Sequence, residues 1–181
     1  METEQQLLEA IRNGEKQAMR RLYDRYSKYA MAITLRYVPE RNDANDVLQD
    51  SFVQILSSIS EFKYQGEGSL KAWVSRITAN SAIDWLKNNQ RLLMTDDFPD
   101  EIDDNEEIEI HGVPPDVLNQ MVGRLPIGSR TVLNLFVFEQ VPHKEIACQL
   151  GISEKASYSR LSHAKRLLRS MIKEYLNSPQ I

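Results

Sequence analysis

Between residues 92 and 117 the chain carries ten acidic side chains and no basic one, and Pro99, Pro114 and Pro115 interrupt it. No helix or strand period runs through "LLMTDDFPDEIDDNEEIEIHGVPPD", and its apolar side chains are too few to make a core. Such a stretch repels itself and stays extended, so it predicts a flexible tether over about residues 94–115. Each flank must then bury its own apolar surface. The expectation is two small domains, residues 1–93 and 116–181.

The remaining charge is split unevenly. Residues 1–91 hold 13 Lys+Arg against 12 Asp+Glu, whereas residues 118–181 hold 9 against 4. The overall charge of −4 therefore hides a basic C-terminal third, and a polyanionic partner stays open to it. The single cysteine, Cys148, cannot form an internal disulfide and reads as a small buried hydrophobe in a reducing compartment. Three scattered histidines without a CxxC or HxxxH give no zinc site, and nothing predicts a cofactor. No basic head joined to an apolar core and a cleavage site opens the chain, which argues against a signal peptide. The longest apolar run, Val132 to Phe138, is too short to cross a bilayer. A cytoplasmic protein without membrane insertion is expected.

Neither flank shows strand alternation, so the fold class is all-α. Four helices are predicted before the tether: Glu4 to Asn13 stopping at Gly14, Glu15 to Val38 ahead of Pro39, Asp43 to Ile59, and Ser69 to Arg91 with Ser69 as cap. After it come a short helix over Asp116 to Gly123, the apolar "LPIGSRTVLNLFVFE", and a helix whose first turn holds Pro142. That helix ends at Gly151, a left-handed cap, and Ser153 then starts a long helix to about Leu176. Helix, tight glycine turn and second helix make a helix-turn-helix, with Ala147 at the close approach and Ile146, Leu150 and Ile152 sealing the corner.

Three features carry chemistry. First, Asp43, Asp46 and Asp50 fall at i, i+3 and i+7 on one helical face. Their mutual repulsion costs a few tenths of a kcal/mol per pair, so the stripe binds a metal, works as acid and base, docks on a basic partner, or is simply solvated. Second, Trp73, Arg76 and Asn80, with Lys87 beyond, share a face of the fourth helix, while Leu70, Val74, Ile77, Ser81 and Trp85 take another. With Phe62 and Tyr64 in the preceding loop, that face suits unstacked bases; the alternative is that Trp73 is core. Third, the last helix opposes an apolar stripe of Leu161, Ala164, Leu168 and Tyr175 to Lys155, Ser159, Arg160, Ser162, His163 and Arg166. Hydroxyls and arginines for base edges, with cations for phosphates, fit a DNA recognition helix.

The motifs "NDANDVLQDSFVQI", "GSLKAWVSRITANSAIDWLK", "LPIGSRTVLNLFVFEQVPHKEIACQLGIS" and "SRLSHAKRLLR", in this order and spacing, resemble those of an extracytoplasmic-function (ECF) sigma factor of the sigma-70 family. The resemblance covers residues about 5–176. It implies that Asp43, Asp46, Gln49 and Asp50 dock on the clamp helices of the largest subunit of core RNA polymerase. It implies that Phe62 to Lys87 melts the −10 element of promoter DNA, with Trp73 and Asn80 matching positions that capture an extruded base. It also implies that Lys155, Tyr158, Ser159, Arg160, Ser162, His163, Lys165 and Arg166 lie where the −35 element is read. The second domain would pack on the polymerase flap, the tether would thread toward the active centre, and an anti-sigma factor would control a stress response. Where the family often has "GTVKSRLSRAR", this chain has "KASYSRLSHAK". Ser157 stands for an apolar residue, Tyr158 for a basic one and His163 for an arginine, which implies fewer phosphate contacts.

Two other classes compete with this reading. A helix-turn-helix regulator of duplex DNA accounts for residues 118–181 but leaves the first domain idle. A metal-dependent enzyme would use the Asp43, Asp46 and Asp50 face, yet no matching ligand cluster appears in the sequence to oppose it. The expectation is therefore a non-enzyme.

Overall fold

A computed structural model describes residues 2–89 and 110–177, and every regular element among them is helical. The chain divides into two compact units, Met1–Asn88 and Asn89–Ile181. Most of the predicted tether, residues 94–109, lies outside the described residues.

The first unit contains α1 (Glu4–Arg12), α2 (Ala18–Tyr37), α3 (Arg41–Ser58) and α4 (Ser69–Asn88), with one 3-10 turn, Ile59–Glu61, after α3. A capping box starts α1: the Thr3 hydroxyl accepts from the Gln6 amide, and the Gln6 side chain accepts from the Thr3 amide. Pro39 stops α2 as expected, because Val38 is forced out of the helical region (φ −125°, ψ 89°). Helix α3 begins two residues earlier than the aspartate spacing suggests. The Glu40 carboxylate accepts from the amides of Asn42 at 2.7 Å and Asp43 at 2.9 Å, which satisfies two of the helix's orphan donors.

The core of this unit is built from Leu22, Tyr26 and Ala30 on α2, Leu48, Phe52 and Ile55 on α3, and Leu70 and Val74 on α4, with Leu7 and Leu8 of α1. Burying each such leucine contributes about 1.5–3 kcal/mol. The α4 face of Leu70, Val74, Ile77, Ser81 and Trp85 is only partly the buried one. Ile77, Ser81 and Trp85 are only half-buried, while Ser75, Thr78, Ala79, Ala82, Ile83 and Leu86 complete the packed stripe. Small residues let α2 and α3 approach closely, and Thr78 hides its hydroxyl by donating to the Val74 carbonyl at 2.8 Å.

The start of α4 is capped from far away. Ser69 is its first residue, not its cap, and Gly68 just before it has no side chain to offer. Instead Glu4, only 2% exposed, accepts from the amides of Gly68 at 2.9 Å, Leu70 at 3.0 Å and Lys71 at 3.1 Å, and from the Tyr26 hydroxyl at 2.8 Å. A carboxylate there satisfies orphan N–H groups and the positive end of the helix dipole together. Burial, reinforced by the Glu4 hydrogen bond, raises the Tyr26 phenol well above its ordinary value. A raised folded-state value leaves its stability complete below the unfolded value of about 10, then lost as pH climbs toward the folded one. The urea midpoint should therefore fall as the pH rises above about 10, and Tyr26→Phe should flatten that fall.

The second unit contains α5 (Pro115–Gly123), α6 (Ile127–Leu133), a π turn that prolongs α6 over Asn134–Phe138, α7 (His143–Leu150) and α8 (Glu154–Asn177). Helix α6 is its axis, buried along Gly128–Leu133. Arg130 is 5% exposed and donates to the carbonyls of Gly123 at 2.8 Å and Leu125 at 3.2 Å, closing the end of α5. Burial pushes its guanidinium down to about 10, so it stays charged at neutral pH. Gly151 takes the left-handed conformation (φ 68°) at the α7–α8 corner, and the Ser153 hydroxyl accepts from Ala156 at 3.0 Å to cap α8. Pro142 sits at the cap position of α7 and not within its first turn. Cys148 is exposed, contrary to the buried role expected, because it lies on the side of α7 away from Ile146 and Ala147.

Candidate docking and nucleic-acid interfaces

Helix α3 buries Ala44, Val47, Leu48, Phe52 and Ile55, which turns the opposite side outward. Asp43 is half-buried in the first turn, where the helix dipole favours an acid. Asp46, Gln49 and Asp50 are exposed, and neither Asp46 nor Asp50 has an ion-pair partner among the described residues. Val53 stands one turn further along the same face and is 69% exposed. Sequence reading passed it over, although its place off the Val47–Phe52–Ile55 stripe was a visible signal. Exposed Asp46 and Asp50 followed by a bare valine offer both charge and an apolar contact to a basic protein surface. Among the described residues no three His, Cys, Asp or Glu side chains come together to hold a metal ion.

On α4 the Trp73, Arg76 and Asn80 face exists but is not uniform. Arg76, Asn80 and Lys87 are exposed, and Lys87 lies 3.9 Å from Asp84. Trp73 is half-buried, its ring 5.0 Å from that of Phe62, which is itself 9% exposed and part of the core's edge. Tyr64 is half-buried, its hydroxyl 3.4 Å from Glu67. The structure thus brings Phe62 and Trp73 together as a packed aromatic pair. The loop carrying Phe62 and Tyr64 is held by Glu4 and Arg12, which sequence reading did not single out; a cap from more than sixty residues away leaves no local signature.

On α8 the predicted set divides in two. Lys155, Tyr158 and Arg166 are exposed, and Ser159 and Lys165 are half-exposed. Arg160 and Ser162 are buried instead. The Arg160 guanidinium lies over Gly128 of α6, where a Cβ would sit 3.2 Å from it, so glycine is what makes room for the arginine. His163 is half-buried, its Nδ1 3.2 Å from the Ser129 hydroxyl. Ser157, out of place as a polar residue in an apolar position, is fully buried and 2.8 Å from Nδ1 of His143. The His143 ring lies between Phe136 at 4.5 Å and Tyr158 at 3.8 Å. A buried polar pair thus bridges the helix-turn-helix corner.

Comparison with known proteins gives each unit a match. The model of Sigma-70 region 2 matches residues 22–92, and that of Sigma-70, region 4 matches residues 116–168. The ECF RNA polymerase sigma-E factor of Haemophilus influenzae is 27% identical over 94% of this chain and 95% of its own length. The RNA polymerase sigma-H factor of Pseudomonas aeruginosa is 24% identical over 92% of each chain, and the sigma factor SigV of Bacillus subtilis 29% over 76% of this chain and 80% of its own. The solved structure of CnrH in complex with the cytosolic domain of CnrY is similar over 95% of this chain and 97% of that one, at 24% identity and a TM-score of 0.48. With region 2 and region 4 in that order, and ECF factors matching across both, the chain belongs to the sigma-70 family and, within it, to the ECF sigma factors.

Proposed function

We propose that this chain binds core RNA polymerase through the α3 face, reads the −35 element as duplex with α8, and melts the −10 element against α4. The observation that supports the reading is the pairing, within one unit, of an exposed acidic row, Asp46, Gln49 and Asp50, with an aromatic, arginine and amide face. Protein docking needs the first, and single-strand capture needs the second. A repressor or activator of duplex DNA needs neither. The protein is then a specificity subunit, and the polymerase carries the catalysis.

Region 4 reaches DNA through Lys155, Tyr158, Ser159, Lys165 and Arg166, with Arg160, Ser162 and His163 shaping that surface from beneath. The same unit packs on the polymerase flap, residues 94–115 form the acidic tether between the domains, and an anti-sigma factor holds the free protein in the cytoplasm. Purified core polymerase with this chain should produce discrete transcripts from fragmented genomic DNA, whose 5′ ends define the promoter; core alone should not. The absence of any chain-dependent start site would sink the reading. Arg166→Ala should weaken duplex binding evenly across sequences and reduce the slope of log affinity against log salt by about 1, as for one lost phosphate contact. Binding isotherms at several salt concentrations check it.

A further inference from the structure

We propose that α1 is the positioning element of the single-strand face, with Glu4 and Arg12 fixing loop 62–68 so that Phe62 and Tyr64 stand ready before DNA arrives. The inference rests on the melting function proposed above for that face. The loop has freedom of its own: Gly66 and Gly68 take φ of 113° and 91°, with nothing within 4 Å of where a Cβ would lie. Its ends are held from one helix. Arg12 donates from its guanidinium to the Phe62 carbonyl at 2.8 Å. Two turns earlier, about 12 Å along the axis, Glu4 holds the amides of Gly68, Leu70 and Lys71. Between these anchors the Glu67 carboxylate accepts from the Glu4 amide at 3.3 Å, from Tyr64 at 3.4 Å and from Arg25 at 3.5 Å.

Core formation alone does not ask for this arrangement. Leu7 and Leu8, 0% and 1% exposed, already bury α1 against the unit, and Arg12 is exposed. Yet, the Tyr26 hydroxyl on Glu4 aside, the hydrogen bonds of both polar side chains fall on the two ends of one loop or on the turn that follows it. A binding loop fixed beforehand avoids ordering cost at the moment of capture. Glu4 and Arg12 are therefore positioning residues, acting through Phe62, Tyr64 and the first turn of α4.

The test uses holoenzyme on the promoter duplex identified by transcript mapping, and on the same duplex pre-melted at −10 by mismatches. Glu4→Gln keeps shape and one acceptor but loses charge; Arg12→Gln removes the grip on Phe62. Both are made in a Trp85→Phe background, which leaves Trp73 as the one tryptophan of two. Each should assemble with core polymerase as wild type does. Each should open linear duplex about tenfold more slowly, the equivalent of one lost hydrogen bond to a charged group, with a smaller deficit on the pre-melted template. In the free chain, Trp73 emission should shift to the red as Phe62 loosens from it. Wild-type opening by both variants, beside slow opening by Asn80→Ala, would overturn the α1 proposal alone. If Asn80→Ala also opens normally, the melting face itself is misassigned. Equal losses of core binding and of opening would reduce α1 to a folding element and overturn the proposal. Should Glu4→Gln fail to fold by circular dichroism, Arg12→Gln decides the matter by the same readouts.

Discussion

Asp46→Arg combined with Asp50→Arg should abolish co-purification with core RNA polymerase while leaving the helical content unchanged. Both side chains are exposed and lack ion-pair partners among the described residues, so the change removes nothing from the fold. It should even relieve some of the repulsion along α3, worth a few tenths of a kcal/mol per pair. At the interface the sign reverses. Two unit charges 4 Å apart interact by about 4 kcal/mol at an effective dielectric of 20, and two attractions become two repulsions. Losses of that size exceed the margin of most complexes. Undiminished recovery with tagged core enzyme, at low and at physiological salt, would remove α3 from the docking surface.

The second large effect concerns opening of the duplex. Asn80→Ala and Trp73→Ala should form holoenzyme and protect the −35 element, yet open the promoter poorly. Stacking a base on an aromatic ring is worth about 1–3 kcal/mol, and extruding a base costs a few kcal/mol. The balance is close enough for one lost contact to favour closed DNA. Asn80 is the cleaner position, because it is exposed and its removal leaves the core alone. Trp73 also packs on Phe62, so its truncation loosens the aromatic pair as well. Permanganate reactivity of unpaired thymines reads the outcome directly, and a pre-melted template should restore much of the activity. Wild-type opening rates for both variants on linear duplex would show that the face is only packing.

Much of this was legible in the residues because helices announce themselves locally. Pro39, Gly151 and Ser153 marked element ends correctly, since each acts on its own backbone. The acid row of α3 was readable because 3.6-residue periodicity maps sequence directly onto a face. What failed required knowing what lay opposite. Arg160 and Ser162 looked exposed from their own helix, but both are buried, Arg160 against Gly128 of α6. The stripe of α4 was misread because Ser75 and Thr78 are buried by close approach of helices, which polarity alone argues against. The cap that Glu4 places on α4 was invisible because the amides it holds are more than sixty residues distant.

On the reading proposed for α8, the His143–Ser157 bond bears on how promoter preference can be transplanted between such proteins. A recognition helix looks like a cassette, to be lifted from one chain and set into another. Here the residue under its first turn answers to a histidine on the preceding helix, 2.8 Å away and 5% exposed. A donor helix bringing an apolar residue to position 157 would strand that imidazole without its hydroxyl, at a cost of about 1–3 kcal/mol, and would tilt the graft. Exchanging both partners for apolar residues together would be nearly neutral. The smallest unit that can be moved intact is therefore the whole corner, from His143 through the exposed face of α8.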